Sequence, residues 1–481
     1  MARNLRWEDI FSINRVGREK LKQEVRSGFQ RDFDRLIFSS AFRRLQNKTQ
    51  VFPLPGSTFV HNRLTHSLEV ASVGRSLGKI VGTHLAENAV RKDHAEAQEF
   101  YRYELSNVIA AACLAHDIGN PAFGHSGEKA LSAYFTRNAD GPIDGQPLKA
   151  YFSTAEWDDL VNFEGNANAF RILTHTFKGK LPGGFGLTYT TLASILKYPC
   201  DASSVGSAPH RKKYGFFQTE KENFLEVAEA LYMVPDSAAH FGASATPGAA
   251  DDPSTAAALS YFRHPFVYLT EAADDICYQV IDVEDAHRLG IVSLGEAQEL
   301  LLNLMDAIGR PTDHMDRVRK TLGGIGDPNE KIAYLRARCI NTLTLQAADV
   351  FIENSAAILD GAFHSTLIKT INKTFHALDT IETLSVERIY NHESVIQIEI
   401  AGYHVMSELL DAFVPPLLKR SPDARDKKMI RLIPDQFLDT EATGAPYRKV
   451  RCALDYIAGM TDLYATELYR KLKGIDIPIH R

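Results

Sequence analysis

The stretch LSNVIAAACLAHDIGNP, residues 105–121, decides the fold class of this chain. Its first eleven residues are apolar nearly all round, which is typical of a helix buried at the centre of a protein. The dipeptide His116-Asp117 follows, and Gly119 and Pro121 then end the helical pattern. Because burying polar groups costs free energy unless they find partners, a histidine and an aspartate at the end of such a helix need an explanation.

Two further segments are predicted to be helices that carry polar residues on a structured face. Between Phe59 and about Glu87, one face combines a histidine with aliphatic residues: His66, Val70, Val73, Leu77 and Ile80. Between Pro265 and Leu289, one face carries a polar stripe at spacings of three or four: Glu271, Asp274, Tyr278, Asp282 and Asp285. This stripe is either a solvated acidic surface or part of a site. Alternating, strand-like runs are scarce, so the sequence predicts an all-α fold.

The composition is that of an ordinary globular protein. The chain has 481 residues, of which 44% are hydrophobic, enough for a large core or for two or three domains. Its 54 basic and 60 acidic residues leave a net charge of -6, which gives no global reason to expect a nucleic-acid or membrane-surface partner. If the protein binds phosphate groups, a local group of residues is therefore expected to bind them, and not the overall charge of the protein.

The cysteines and the N-terminus indicate the cellular compartment in which the protein is expected. The five cysteines are far apart and form no C-x-x-C pair, which argues for a reducing cytoplasm and against a thiolate zinc site. The N-terminus has no apolar signal region, and no stretch approaches the roughly 18 apolar residues needed to span a bilayer. We therefore expect a cytoplasmic protein that has no contact with a membrane.

The chain is expected to divide into a main helical domain, residues 1–307, and an additional C-terminal helical region, residues 308–481, packed on it. Three stretches have the composition of surface loops or insertions: 137–159, 201–213 and 236–255.

Three separated pieces, each on a predicted helix, carry the chemistry: His66, the pair His116-Asp117, and Asp274. A single buried histidine is usually satisfied by hydrogen bonds, so no piece is decisive alone. In this order, however, they are typical of two imidazoles and two carboxylates that converge on one divalent ion. Nitrogen and oxygen donors without thiolate favour Mn or Mg, with Fe, Co and Ni open, over structural zinc.

The chain resembles the bacterial deoxyguanosine triphosphate triphosphohydrolases of the HD superfamily. The resemblance covers most of the chain, and seven blocks follow the family's order: RDFDRLIFSSAFRRLQNKTQVFP (31–53), NRLTHSLEVA (62–71), AHDIGNPAFGHSGE (115–128), FEGNANAFRIL (163–173), LTYTTLASILKYP (187–199), EAADDICYQVIDVEDA (271–286) and DYIAGMTDLYA (455–465). It implies an HD-domain helical fold with an additional C-terminal helical region. It also implies hydrolysis of deoxynucleoside triphosphates, dGTP first among them, to deoxynucleoside and inorganic triphosphate.

The resemblance implies a role for each matching residue. The metal ligands are His66, His116, Asp117 and Asp274, with Asp274 preferred to Asp275 because it shares a helix face with Tyr278 and Asp282. The catalytic residues are His125 and Glu128, a histidine that moves a proton and a carboxylate that orients its ring; both could instead cap a helix start.

The remaining matches concern substrate binding. Arg63 and Lys197 correspond to phosphate contacts, although Lys197 could be a surface lysine. Gln50, Tyr278 and Asp282 correspond to the deoxyribose pocket. Asn166 corresponds to a substrate contact, with a helix cap as the rival interpretation.

The resemblance also suggests a homo-oligomer, and it leaves an allosteric nucleotide or single-stranded DNA open as further partners. The first alternative function is another HD phosphohydrolase, such as a nucleotidase or a phosphodiesterase. The second is a non-catalytic HD protein that binds nucleotide or single-stranded nucleic acid.

Overall fold

The computed structural model describes residues 5–18, 25–53, 60–236, 259–438 and 445–476. Almost all of its regular structure is helical, which confirms the all-α prediction. Within the described residues the named strands are β1 (Pro142–Ile143) and β2 (Gln146–Pro147), an antiparallel pair.

The α-helices are, in chain order, α1 (Gly28–Ile37), α2 (Ser40–Arg44), α3 (Arg63–Asn88), α4 (Ala95–Glu99), α5 (Leu105–Ala115), α6 (Gly124–Arg137), α7 (Thr154–Val161), α8 (Gly165–Thr174), α9 (Tyr189–Ile195), α10 (Lys221–Ala230), α11 (Val267–Arg288), α12 (Leu294–Ile308), α13 (Met315–Gly324), α14 (Pro328–Glu353), α15 (Ser355–Leu359), α16 (Leu367–Phe375), α17 (Asp379–Leu384), α18 (Glu393–Leu418), α19 (Ala424–Arg431), α20 (Pro446–Ala458) and α21 (Asp462–Leu472). Short 3-10 and π segments connect several of them.

The central helix is α5, at the position that the sequence predicted. All of its residues except Ser106 and Asn107 are buried. The helices α1, α3, α9 and α11 pack around it. Because these helices bury almost all of its surface, the His116-Asp117 dipeptide at its end is held within the helical packing.

The two helices α3 and α5 approach closely along a stripe of glycines spaced by four: Gly74, Gly78 and Gly82. A Cβ atom at Gly74 would lie 2.4 Å from Sγ of Cys113, and one at Gly82 would lie 2.2 Å from the backbone oxygen of Tyr101. Larger residues would push the helices apart. The glycines therefore allow the two helices that carry the predicted histidine ligands to meet.

A substitution tests this contact. We expect Gly82→Ala to destabilise the protein by about 1–3 kcal/mol through overpacking, although alanine favours a helix over glycine by about 1 kcal/mol. The matched control is Gly295→Ala in α12, where an added Cβ has no atom within 4 Å and should be neutral or stabilising. The measurement is urea unfolding of both variants. Equal stability of the two variants would contradict the close contact.

A second apolar core joins the middle of the chain to its end. It contains residues of α6 and α7 together with residues of α18, α20 and α21. The main core contains residues on both sides of position 308, because α12 packs on α14. The apolar packing therefore continues across the predicted boundary between 307 and 308, and the division into two domains stays a prediction.

The three predicted loops differ in their structure. The stretch 137–159 contains the β1–β2 hairpin and most of α7, whose Trp157 is buried. The stretch 201–213 contains two short 3-10 turns, Ala202–Ser204 and Pro209–Arg211. Most of 236–255 lies outside the described residues. None of the described helices combines the length and apolar character needed to cross a bilayer.

Candidate active site

The predicted metal ligands come from three elements that the fold brings to one point. His66 lies in the first turn of α3, His116 directly follows α5, and Asp274 lies in α11. Oδ1 of Asp274 is 3.0 Å from Nε2 of His66 and 3.4 Å from Nε2 of His116. The ligand atoms of these three residues lie within 4.8 Å of one another, so they can share one ion. Asp274 is thus the carboxylate of the Asp274-Asp275 pair that contacts the histidines.

The ring of His116 is oriented for metal binding. Its Nδ1 lies 2.6 Å from the backbone oxygen of Cys113, to which it can donate a hydrogen bond. Nε2 is then the ring nitrogen that is available to a metal ion. Nε2 is buried and has no hydrogen-bond partner among the described residues. Burial alone would lower the pKa of His116, but the charges of Asp117 and Asp274 raise it to about 9. A buried nitrogen without a hydrogen-bond partner, at a point where two carboxylates stabilise positive charge, is a suitable ligand for a divalent cation.

Two neighbours hold Asp117, the fourth predicted ligand. Arg63 donates to its Oδ2 and Asn120 donates to its Oδ1, both at 2.6 Å. Oδ1 also lies 3.6 Å from Nε2 of His116, so this oxygen is the one that faces the ion site. The guanidinium of Arg63 contacts Asp117, and Arg63 is not one of the residues that line the cavity. Its contact with the triphosphate stays a prediction.

The C-terminal region fixes the loop before α6. Phe123 and Gly124 have positive φ values of 62° and 55°. A Cβ at Gly124 would lie 2.6 Å from Nη2 of Arg63. Both the positive φ and this close contact therefore favour glycine at the position. Asp462, at the start of α21, accepts hydrogen bonds from the backbone nitrogens of Phe123 at 2.9 Å and Thr49 at 2.8 Å. The last of the seven sequence blocks therefore supports the site without lying in it.

His125 and Glu128 both line the cavity beside the ligands, a space of about 300 Å³. Oε1 of Glu128 accepts from the backbone nitrogen of Gly165 at 2.9 Å, and its Oε2 lies 3.8 Å from Nζ of Lys213. His125 lies in the first turn of α6, where it is exposed. No hydrogen bond joins His125 to Glu128 in the described part of the chain. The expected pairing is not formed, because Gly165 and Lys213 engage the carboxylate instead.

Two lysines supply positive charge to the cavity. Nζ of Lys197 is 3.1 Å from Oε1 of Glu271, and Nζ of Lys213 is 2.7 Å from Oε2 of Glu164. Burial opposes the charge of both lysines, but nearby carboxylates outweigh it and raise both pKa values. Lys213 was missed by sequence reasoning because it ends a stretch with a surface-loop composition. The available signal was its place directly before an aromatic run, 214–217.

The residues predicted to contact the sugar continue along α11. Tyr278 lines the cavity and stacks on Tyr390, with ring centroids 5.8 Å apart. The hydroxyl of Tyr390 donates to Oδ2 of Asp282 at 2.8 Å. Burial raises the pKa of Asp282 to about 8, so this carboxyl is largely protonated at neutral pH and can donate a hydrogen bond. Tyr390, from the C-terminal region, was missed by sequence reasoning.

The polar stripe of α11 is not a solvated surface. Glu271, Asp282 and Asp285 are buried. The interpretation as a solvated acidic face is therefore wrong for these three residues, and their place in a substrate site stays a prediction.

Gln50 and Asn166 lie in different settings. Oε1 of Gln50 is buried without a hydrogen-bond partner among the described residues, and the residue does not line the cavity. Asn166 lines the cavity, and its Nδ2 donates to Oε1 of Glu164 at 2.6 Å. The N-cap of α8 is Glu164, which accepts from the backbone nitrogen of Asn166. The rival interpretation of Asn166 as the cap is therefore wrong.

Two family models match parts of the chain, and relatives are similar to it over nearly its full length. The family model "HD domain" matches residues 63–150, and the model "Phosphohydrolase-associated domain" matches residues 368–471. The chain is 36% identical to a deoxyguanosinetriphosphate triphosphohydrolase-like protein of Synechocystis, over 98% of this chain and 100% of the relative. It is 35% identical to a protein of the same description from Pseudomonas aeruginosa, over 98% and 99%. It is 31% identical to a deoxyguanosinetriphosphate triphosphohydrolase of Cronobacter sakazakii, over 95% and 96%.

Proposed function

The chain belongs to the family of deoxyguanosinetriphosphate triphosphohydrolase-like proteins, and on that premise we propose that it hydrolyses deoxynucleoside triphosphates, dGTP among them, to deoxynucleoside and inorganic triphosphate. One observation carries the proposal. A single cavity is lined by metal-ligand residues, two lysines and the tyrosine of the expected sugar pocket. Together these residues can bind a nucleoside triphosphate along its length, from the phosphate chain to the sugar.

A divalent ion held by His66, His116, Asp117 and Asp274 would polarise the α-phosphoryl group and lower the pKa of a water molecule. The donor set contains imidazole and carboxylate without thiolate, which favours Mn or Mg. The orphaned Nε2 of His116 supports this assignment.

Lys197 and Lys213 are the cations best placed for the phosphate chain. Both line the cavity, and both are held by carboxylates that keep them charged. Hydrolysis of the triphosphate ester places negative charge on the phosphoryl oxygens and on the leaving oxygen, and fixed cations near the phosphate chain stabilise it without reorganisation. The β- and γ-phosphates would take over part of the pairing that Glu164 and Glu271 now provide.

His125 is proposed to move the proton. Although part of the residue is exposed, desolvation at the cavity wall, followed by the positive charges of Lys213 and Arg63, lowers the pKa of His125. The ring is therefore neutral at pH 7 and ready to accept a proton from the attacking water. As water attacks the α-phosphorus and the bond to the 5′-oxygen breaks, that proton can pass to the departing oxygen.

The role of Lys213 can be tested directly. We expect Lys213→Met to lower kcat/KM for dGTP by about tenfold or more, mainly through KM, because a hydrogen bond to a charged group contributes about 1.5–3 kcal/mol. The control is Lys212→Met, an exposed neighbour that does not line the cavity. The kcat/KM of this control for dGTP should stay within about twofold of the value for the unmodified protein. Equal kinetics for the two variants, at unchanged Tm, would remove Lys213 from the phosphate site.

The sugar pocket is proposed to select deoxyribose. Tyr278 is held rigidly by its stack on Tyr390, so its ring can exclude a 2′-hydroxyl sterically. The carboxyl of Asp282 and the amide of Gln50 lie outside the cavity lining, and their pairing with the 3′-hydroxyl is part of the proposal. Asp282 is itself positioned by Tyr390.

We therefore expect a preference for dNTP over NTP and poor activity on 2′,3′-dideoxynucleotides. Tyr278→Ala should admit GTP, and Gln50→Ala should reduce discrimination against ddGTP, because a site built to pair a hydroxyl rejects an analogue without it. The measurement is kcat/KM for dGTP, GTP and ddGTP. Unchanged ratios in both variants would reject the pocket while leaving the metal site intact.

A further inference from the structure

Arg263 contacts the wall of the cavity at the metal ligands, although it is not one of the residues that line this cavity. Its side chain is buried, and its Cζ lies 6.0 Å from the ring centre of Tyr198 and 5.7 Å from that of Tyr268. A buried charge is costly unless it is paired and hydrogen-bonded. The partners of this arginine therefore indicate what its charge does.

The guanidinium of Arg263 donates to three separate segments of the chain. Nε donates at 3.0 Å to the backbone oxygen of Lys197, shortly after α9, and Nη2 donates at 3.0 Å to the backbone oxygen of Pro209. Pro209 lies in the stretch that ends at Lys213. Nη1 donates to Oε2 of Glu271, in α11, at 2.9 Å. A planar group with five donors suits this arrangement, whereas an ammonium is a single point charge.

Glu271 is shared between two cations. Its Oε1 lies 3.1 Å from Nζ of Lys197, and its Oε2 accepts the hydrogen bond from Arg263. Because the carboxylate is buried, its charge is screened little by solvent. If Lys197 turns from this carboxylate to a phosphate chain, an unpaired Glu271 would be costly in itself and would repel the phosphates. Arg263 keeps one cation on Glu271 after Lys197 has turned away.

We propose that Arg263 is a positioning residue for phosphate binding: it neutralises Glu271, so that Lys197 can pass from this carboxylate to the phosphate chain. The inference rests on the proposed function, because it requires that Lys197 binds phosphates. The hydrogen bonds to the backbone oxygens of Lys197 and Pro209 hold the guanidinium against Glu271 throughout. Arg263 therefore acts on the substrate through Glu271 and Lys197, without touching it.

The test is a double-mutant cycle on the binding of inorganic triphosphate, measured by calorimetry with the full chain and Mg²⁺. Arg263→Gln should raise the Kd for triphosphate by roughly tenfold or more, because it leaves Glu271 without its second cation. In a Glu271→Gln background the same change should alter the Kd by less than about threefold, since no carboxylate is left to neutralise. An arginine that only stabilised the fold would weaken binding equally in both backgrounds.

Two further variants control for the loss of an arginine. Arg288 donates to Oε1 of Glu284, another carboxylate of α11, at 2.8 Å, and neither residue lines the cavity. Arg288→Gln should therefore leave the Kd for triphosphate within about twofold of the value for the unmodified protein. Arg263→Lys keeps a charge beside Glu271, and it should bind triphosphate at least about threefold more tightly than Arg263→Gln does.

The Tm of each variant reports whether it folds. If Arg263→Gln does not fold, Glu271→Gln alone decides, and it should bind triphosphate at least as tightly as the unmodified protein. Three results would overturn the proposal: no triphosphate binding by the unmodified protein, equal weakening by Arg263→Gln in both backgrounds, or a Kd raised about tenfold by Glu271→Gln. The expected binding pattern in a protein that hydrolyses no dNTP would instead reject the proposed function and leave the role of Arg263 standing.

Discussion

His116→Ala and Asp274→Ala proteins are expected to lose both bound metal and turnover. The two side chains meet at 3.4 Å, and the orphaned Nε2 of His116 faces the two carboxylates that would share the ion. Removing either one leaves a site with too few protein ligands. A bound metal ion lowers the activation barrier by several kcal/mol as a Lewis acid. Without it, turnover should fall by roughly a thousandfold or more.

The measurement is elemental analysis of each purified variant beside its dGTP hydrolysis rate. His84→Ala is the matched control, because His84 lies on α3 with His66 but several turns away, where it contacts Asn88. It should retain metal and activity. Full metal content with normal turnover in Asp274→Ala would transfer the role to Asp275 or reject the site.

The second large effect is expected for His125→Ala, which should separate chemistry from binding. A residue that moves a proton stabilises the transition state more than the ground state, so kcat should fall by roughly 100-fold or more while KM changes little. Metal content should stay normal, because His125 is not among the residues that form the ligand cluster.

Lys129→Ala, at an exposed position on the same helix outside the metal cavity, is the control for α6 and should keep normal kinetics. The assignment fails if His125→Ala raises KM at constant kcat, since His125 would then bind substrate without transferring a proton.

Local patterns were sufficient to predict the parts of the fold that depend on one segment. The helix at 105–115 ends at the predicted residue because its apolar run and the glycine and proline after it act within that segment. The face of α11 was predicted from its spacing, and it brings Asp274 to the histidines. Convergence of three helices then follows from burying their apolar faces together.

Other parts of the site depend on contacts between distant segments. Three residues reach the site from segments with the composition of a surface loop or the pattern of a packed helix: Lys213, Tyr390 and Asp462. The partner of Glu128 was likewise set by the start of α8, which lies 37 residues away in the chain. Homo-oligomerisation, an activating nucleotide and single-stranded DNA binding stay predictions.

We propose that the site cleaves the bond between the α-phosphorus and the 5′-oxygen and releases triphosphate intact. The most direct measurement is chromatographic separation of the products after incubation of the purified protein with dGTP and Mn²⁺. We expect deoxyguanosine and inorganic triphosphate in equal amounts, and neither product with His116→Ala. Release of dGMP with pyrophosphate, or of dGDP with phosphate, by the unmodified protein would contradict it.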